Sequence, residues 1–598
     1  MLRDKSRIIP RPGLLFGCLL AAACGRGGAS TTTDGTTLPG AGTTGTVSPG
    51  AAGASTAPSA GSTASAGTGV TTSPGGTAGV MAQAPSGTAG LGGAGTGPTM
   101  PTAGAAGSGT PAVTPTGTGA SVLEYRGDGR RTGSFVDAAF TRDAAAKIKK
   151  DTTFTATIAG PTYAQPLFIE GADGKPDLVI TATERNEVAA FSAADGTEVW
   201  RKTLGMPVSG GLPCGNITPL GVTGTPAIDP KTRTLYVAAM VSGPEHKVFA
   251  ISVDDGMDRA GFPVSFEGVS GGGHTFRSAS HNQRGGLLIV NDTLYVPYGG
   301  HFGDCSEYHG WVIGLPLATP DAKPMGFATS AQAGGIWAPG ALATDGTSVF
   351  AATGNTMSGP LVGFSFSTPA TWGHGNAILR LGAGLATIAE SDTANFFAPQ
   401  DWKMLDSSDL DLGGSGPVLV SVPGGTPADV VVAMGKGGTA YLLDLANLGG
   451  MGGELSSVRV ASGGIGGGMI QAGTSYTTPT GTFLAFRAVQ SVMGCGKGNG
   501  NLGALKIVGS ELEVAWCAAG SGSTSPISTT TDGMADSVVW YVQGSRLLGF
   551  NGEDGTQIYG GMGAGDGMLS LDRFQTMIVA KGKMYFASDN QLVRYTLE

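Results

Sequence analysis

The chain has 598 residues, of which 40% are hydrophobic and only 13% charged, and its formal net charge is −9. Such a chain lacks the basic face that nucleic-acid binding needs, so no nucleic-acid partner is expected. The 105 glycines suit a low-complexity segment and a fold with many tight turns.

The first 23 residues read as a signal peptide. Arg3, Lys5, Arg7 and Arg11 form a positive region, and Leu14 to Ala23 is an apolar run too short to cross a bilayer stably. The run ends at Cys24, and the junction resembles a bacterial lipoprotein signal with Cys24 as the acylated residue. Ordinary cleavage after an Ala-x-Ala site is the alternative. Gly25, rather than Asp, follows Cys24, which resembles the sorting pattern of outer-membrane lipoproteins. No later segment is apolar for long enough to span a membrane. Residues 24–120 are mostly Gly, Ala, Thr, Ser and Pro, with no aromatic residue and only Arg26 and Asp34 charged, and they read as a disordered tether. A coil of that length holds its ends roughly 55 Å apart.

Residues 121–160 form a lead-in. Val122 to Tyr125 is expected as a short strand. Arg142 to Lys150 is expected as one helix capped by Thr141. Phe154 to Ala159 is expected as a strand that closes a ring by serving as the outer strand of the last blade.

From residue 161 to 598 a pattern recurs. Thr162 to Leu204 holds four short strands, near Gln165–Ile169, Leu178–Ala182, Glu187–Phe191 and Glu198–Trp200, separated by Gly/Asp turns. Weaker copies follow at roughly 40- to 60-residue intervals, a spacing that signals a propeller or solenoid. They open near Gly224, Gly286, Trp337, Gly416, Met469, Ser525 and Phe574. One four-stranded sheet cannot cover both its faces, and a ring of such sheets can. The expectation is an all-β chain: a single β-propeller of four-stranded blades, eight in number, with seven as the alternative.

Ala194-Asp195-Gly196-Thr197-Glu198-Val199-Trp200 resembles the turn of the pyrroloquinoline-quinone (PQQ)-type propeller repeat, and Arg130-Arg131-Thr132-Gly133 resembles the lead-in of those propellers. The resemblance covers about Tyr125 to the C-terminus and is strongest at 162–204 and 525–559. It implies that the tryptophan closing a blade docks onto the next one. Trp200 and Trp516 hold that place, with Tyr559 as a substitute.

The mature chain keeps Cys214, Cys305, Cys495 and Cys517 besides Cys24. An even number in an exported protein points to two disulfides among three pairings. Cys495–Cys517 is expected to close a hairpin and Cys214–Cys305 to join neighbouring blades. The spacings match no zinc motif.

His274, His281, His301 and His309 fall within 36 residues, again without a metal-binding spacing. They read as loop histidines bonded to backbone. His301, Tyr308, His309 and Trp311 flank Cys305 and are the candidate rim site. Asp406, Asp409 and Asp411 invite a calcium reading, but the EF-hand pattern is absent and a solvated turn is expected. Gly435-Lys436-Gly437-Gly438 reads as a hairpin turn rather than a phosphate loop.

Three functions follow. The first is a non-catalytic binding or scaffold module of the cell envelope, monomeric, lipid-anchored at the outer membrane or cell surface, with envelope proteins or glycans as partners and no cofactor. The outer-membrane-assembly lipoprotein of the resembling family has this architecture. The second, implied by the same resemblance, is a quinoprotein dehydrogenase of alcohols or sugars using PQQ with calcium. The chain lacks the adjacent cysteine pair of the family's alcohol dehydrogenases and any CxxCH haem motif, and none of their ligand or base positions transfers. The third is carbohydrate or surface-polymer binding through rim aromatics such as Tyr308, Trp311, Trp337 and Trp372. Catalytic and cofactor-binding residues cannot be assigned from the sequence, and no metal site is expected.

Overall fold

The computed structural model describes residues 121–318, 323–337, 339–359, 367–464, 468–469, 471–522, 524–561, 571–588 and 590–598. The signal peptide, Cys24 and the tether lie outside the described residues. No helix among the described residues is long and apolar enough to cross a membrane.

The chain is an all-β propeller. Among the described residues, eight antiparallel meander sheets follow one another. Their first strands are Leu167–Ile169, Ala227–Asp229, Leu288–Val290, Ala343–Thr344, Val418–Ser421, Thr474–Thr478, Ile527–Thr530 and Ile578–Ala580, and the lead-in strand Ser134–Val136 pairs in parallel with the seventh of them. Many strands are buried on both faces, as in Thr234–Val241, where every residue is buried. Continuous β-branched and aliphatic runs therefore replace the alternation of a half-exposed sheet. The core is a series of layers between neighbouring sheets. One layer joins sheets one and two through Ile180, Val188, Val237 and Ile251. Another joins sheets seven, eight and one through Trp540, Tyr585 and Phe191.

Sheet eight has only three strands of its own near the C-terminus. Its last strand, Gln591–Thr596, pairs outward with Lys149–Lys150 and Ala156–Thr157. N-terminal residues thus form the outer edge of the last sheet. This shortens the expected helix to Arg142–Ala145, still capped by Thr141, whose hydroxyl accepts from Ala144 N at 3.2 Å. Lys149 and Lys150 pair with Thr596 and Tyr595 instead of continuing the helix. The expected strand over 154–159 reduces to Ala156–Thr157.

Trp200 and Trp516 dock across sheets. Trp200 Nε1 donates to Val253 O at 2.8 Å, in the turn of sheet two, and its ring lies where a Cβ on Gly256 would be 2.8 Å away. Trp516 Nε1 donates to Gly552 O at 2.8 Å, and its ring packs on Gly555 in the same way. Tyr559 is buried beside Trp540, with ring centroids 6.3 Å apart. The junction of sheet eight with sheet one has no tryptophan. Arg594 does the work there: it donates to Ala193 O and Ala194 O at 2.6 and 2.9 Å, pairs with Asp151, and lies 4.4 Å from the Phe154 ring centroid.

The lead-in occupies the axial channel. Val122 to Tyr125 is not a strand of a sheet; only Val122 makes a bridge, to Phe168 of sheet one. Leu123 O then accepts from Ile228 N, Gly129 O from Thr344 N, Arg130 O from Leu419 N, Thr132 O from Ser475 N and Gly133 O from Ser528 N. Arg131, fully buried, donates to Leu287 O of sheet three, and Asp137 accepts from Gly582 N of sheet eight. The segment therefore bonds each of the eight sheets in turn. Arg126, also buried, donates to Gly473 O, Pro526 O and Thr576 Oγ1. Gly133 lies at φ +64°, and a Cβ there would run into the Arg126 guanidinium.

Candidate functional site on the loop face

In each meander the turns between the first two strands and between the last two lie at one end. The loops between the middle strands, and the connections to the next sheet, lie at the other. Functional groups concentrate on loops over a rigid scaffold, and here the long connections share that second end, the loop face.

Lys436 sits in the tight loop between Asp429–Met434 and Thr439–Asp444. Its ammonium lies 2.9 Å from Asp409 Oδ1 and 2.5 Å from Asp411 Oδ2. Both aspartates come from the connection entering sheet five. Asp411 Oδ1 also accepts from Asn355 N at 2.7 Å, and Asp409 Oδ1 from Asn355 Nδ2 at 3.1 Å. Asp406 accepts from Thr356 N and Oγ1 and from Asn376 Nδ2, all within 2.9 Å. The aspartates are therefore not a solvated turn. Asp406 and Asp411 are buried, Asp406 within a short helix, Trp402–Ser407, that precedes Asp411. The reason is local: Asn355, Thr356 and Asn376 on the adjacent loop present donors that hold the carboxylates inside. Burial pushes Asp406 up to about 6. Burial, and then the neighbouring Asp411 charge, push Asp409 up to about 6. Burial works against the Lys436 charge, but Asp411 and Asp409 more than offset it and raise its pKa.

Trp337, half-buried, connects this cluster to a second one. Lys436 Nζ lies 5.7 Å and Arg284 Cζ 6.0 Å from its ring centroid. Gly299 and Gly354 give the indole room, since a Cβ on either would crowd it. Asp304 accepts from Tyr308 Oη at 2.7 Å, and burial raises its pKa. Nearer the axis, buried Glu184 accepts from Gly221 N at 2.7 Å and Thr223 Oγ1 at 2.6 Å. Burial pushes it up to about 7, those two bonds opposing the rise.

The residues expected at the rim are placed differently. Trp311 is fully buried and belongs to the core between sheets two and three. His301, Tyr308 and His309 are buried too. His301 Nε2 faces Ala279 O at 3.1 Å, and His309 Nδ1 faces Thr329 O at 2.8 Å and Ala331 O at 2.9 Å. They are framework groups of sheet three, not an open surface. Trp372 is buried as well, its Nε1 bonded to Gly375 O. Of the four aromatics named for sugar stacking, only Trp337 keeps appreciable exposure. Among the described residues, no three His, Cys, Asp or Glu side chains converge as metal ligands. The disulfides are Cys214–Cys305 and Cys495–Cys517, both on the loop face, and they fit an oxidising, exported setting. Cys214–Cys305 ties the connection entering sheet two to the loop that carries Asp304 and Tyr308.

No family model and no curated protein matches this chain. Solved structures do. Quinohemoprotein alcohol dehydrogenase ADHIIG from Pseudomonas putida HK5 is 12% identical with a TM-score of 0.54, covering 80% of each chain. The quinohemoprotein alcohol dehydrogenase from Comamonas testosteroni is 12% identical with a TM-score of 0.54, over 79% of this chain and 80% of that one. BamB from Moraxella catarrhalis is 14% identical with a TM-score of 0.44, over 74% and 99%. The likeness is one of fold.

Proposed function

We propose that the protein is an exported, eight-bladed propeller that works as a non-catalytic binding module, holding a ligand or an envelope partner on its loop face. The observation that carries this reading is the way the charged groups of that face are used. Asp406, Asp409, Asp411, Lys436 and Glu184 are bonded to loop backbone or to each other, so they fix the shape of the face. A rigid, polar, loop-built face over a closed ring is suited to recognition. Residues 1–23 serve as the signal, Cys24 as the lipid anchor and 24–120 as the tether, at the outer membrane or cell surface. Ser121 bonds Glu170 N at 3.0 Å, at the end opposite the loops.

A second reading, a PQQ-dependent dehydrogenase of alcohols or sugars, is favoured by one observation. Trp337 offers an indole with two cations near 6 Å, and Asp409, paired with one of them, Lys436, keeps part of its surface exposed. An aromatic face, cations and a carboxylate are what a flat anionic quinone needs, and the bound quinone would supply the electron-accepting carbonyls. Calcium fits less well, because the Lys436 ammonium already takes the place between Asp409 and Asp411 that a divalent cation would need. Titrating the full chain with PQQ, with and without calcium, followed by a dye-linked oxidation assay, separates the two. No retained quinone is expected. Stoichiometric binding with turnover would replace the binding module by the enzyme.

A further inference from the structure

Residues 209–219, in the connection entering sheet two, form a loop pinned at its base. Val208 and Leu220 exchange backbone hydrogen bonds there at 2.9 and 2.8 Å. Between them, residues 209–219 make no backbone hydrogen bond to any described residue, and none of them is buried. Leu212 and Ile217 pack in part against Val208, Leu220 and Met240. What fixes the tip is the Cys214–Cys305 bond. The loop on the other side of that bond is held without it: Asp304 N donates to His301 O at 3.1 Å, and Tyr308 Oη to Asp304 Oδ1 at 2.7 Å.

The tip lies on a floor made by that second loop. A Cβ on Gly303 would stand 3.4 Å from Cys214 Sγ, and one on Gly215 would stand 3.9 Å from His301 Nδ1. His301 is buried, and its Nε2 faces Ala279 O at 3.1 Å. The proton therefore sits on Nε2, and Nδ1 keeps its lone pair on the side of the tip. The two disulfides differ in access. Cys305 is exposed and Cys214 half-buried, whereas Cys517 is buried in the core with Cys495 packed against it. Thiol–disulfide exchange needs access for the attacking thiolate, so an exposed bond is the labile one.

We propose that Cys214–Cys305 is a redox latch on the loop face, opened by a dithiol. One thiolate of the dithiol attacks the exposed Cys305 Sγ. The bond between the two cysteines breaks, and Cys214 leaves as a thiolate that takes up a proton. The second thiolate attacks the dithiol's own sulfur in the mixed disulfide and releases Cys305 in the same way. The cysteines gain two electrons and two protons, and the dithiol is oxidised to its disulfide. The freed tip then lifts from Gly303 and His301, while the Val208–Leu220 pair and the Asp304–Tyr308 bond stay in place. The oxidised protein presents a covered floor and the reduced one an open floor. This deepens the reading of the loop face as the binding face and rests on it for its use; the latch itself is tested without a ligand.

Dithiothreitol serves as the dithiol. The full chain is treated under native conditions, alkylated at intervals and mapped by mass spectrometry. Cys214 and Cys305 should be alkylated about tenfold faster, or more, than Cys495 and Cys517, because attack depends on access. Diethyl pyrocarbonate then reads the floor, on the reduced and alkylated protein and on the Cys214→Ala/Cys305→Ala variant, which carries no adduct. His301 should become reactive in both, while His281, equally buried within sheet three, stays unreactive. The latch is overturned if Cys495–Cys517 is reduced as fast, or if His301 stays unreactive in the double variant. It is overturned too if that variant fails to fold, or if His281 becomes reactive along with His301, since the bond is then a staple whose loss loosens the whole sheet. Quinone turnover would overturn the binding-module reading instead, so the two failures are distinct.

Discussion

Replacing Trp200 by alanine should lower the unfolding free energy by about 3–5 kcal/mol, the cost of emptying a buried tryptophan site. The ring is only 8% exposed and fills the space between sheets one and two. An indole buries roughly 150–250 Å², which at about 25 cal/mol per Å² is of the same size. Its Nε1–H also satisfies Val253 O in the next sheet. Trp200→Phe separates the two contributions. It keeps most of the ring contact on Gly256 and leaves the carbonyl bare, for a loss of about 1–2 kcal/mol. Trp337→Ala is the internal control, since that ring is half-buried on the loop face and should cost less than about 1 kcal/mol. Urea unfolding of the full chain, followed by near-ultraviolet circular dichroism, measures all three. If unfolding is irreversible, unfolding rates at fixed urea serve instead. A Trp200→Ala loss no larger than that of Trp337→Ala would refute the docking argument.

Gly133→Ala should destabilise by about 2 kcal/mol, because the left-handed backbone and the Arg126 guanidinium leave no room for a Cβ; an unchanged melting temperature would mean the lead-in does not bind as described. Lys436→Met should cost roughly 3 kcal/mol by leaving Asp409 and Asp411 facing each other, and adding Asp411→Asn should restore part of it. His246 is buried and its pKa is held down to about 3, chiefly by burial. A folded pKa below the ordinary value means stability is lost as pH falls below 6.5. Between pH 7 and 4.5 the parent should therefore lose about 2 kcal/mol more than His246→Phe; parallel pH profiles would contradict this.

The propeller was legible because its evidence is local. Short apolar runs such as Leu178–Ala182, the turn at Asp195-Gly196 and Trp200 each report on one sheet. The axial lead-in was not. Arg130 to Gly133 bond to residues up to about 400 positions away, and nothing in their spacing encodes that. The candidate site was illegible for the same reason. Arg284, Trp337, Asp411 and Lys436 come from four separate connections, and only the ring brings them together. A cation inside the tight loop at Lys436, with the alternation Asp409-Leu410-Asp411-Leu412 one connection earlier, was the available signal. It reads as a turn and a solvated strand end until the neighbouring donors are placed. The histidines were legible in part: ring nitrogens of His281, His301 and His309 meet backbone carbonyls as expected, but His301 and His309 are buried in sheet three rather than set on an open rim.

Methionine oxidation tests the loop face directly, because the protein carries exposed methionines at both ends. Met206, Met404 and Met493 lie on the loop face, and Met257 and Met534 on the opposite one. The full chain is oxidised briefly in intact cells and again after purification, and the sulfoxide at each position is quantified by mass spectrometry. A binding face engaged in the envelope predicts that Met206, Met404 and Met493 are protected in cells and oxidised after purification, with Met257 and Met534 alike in both. Equal oxidation of all five in both states would contradict the account.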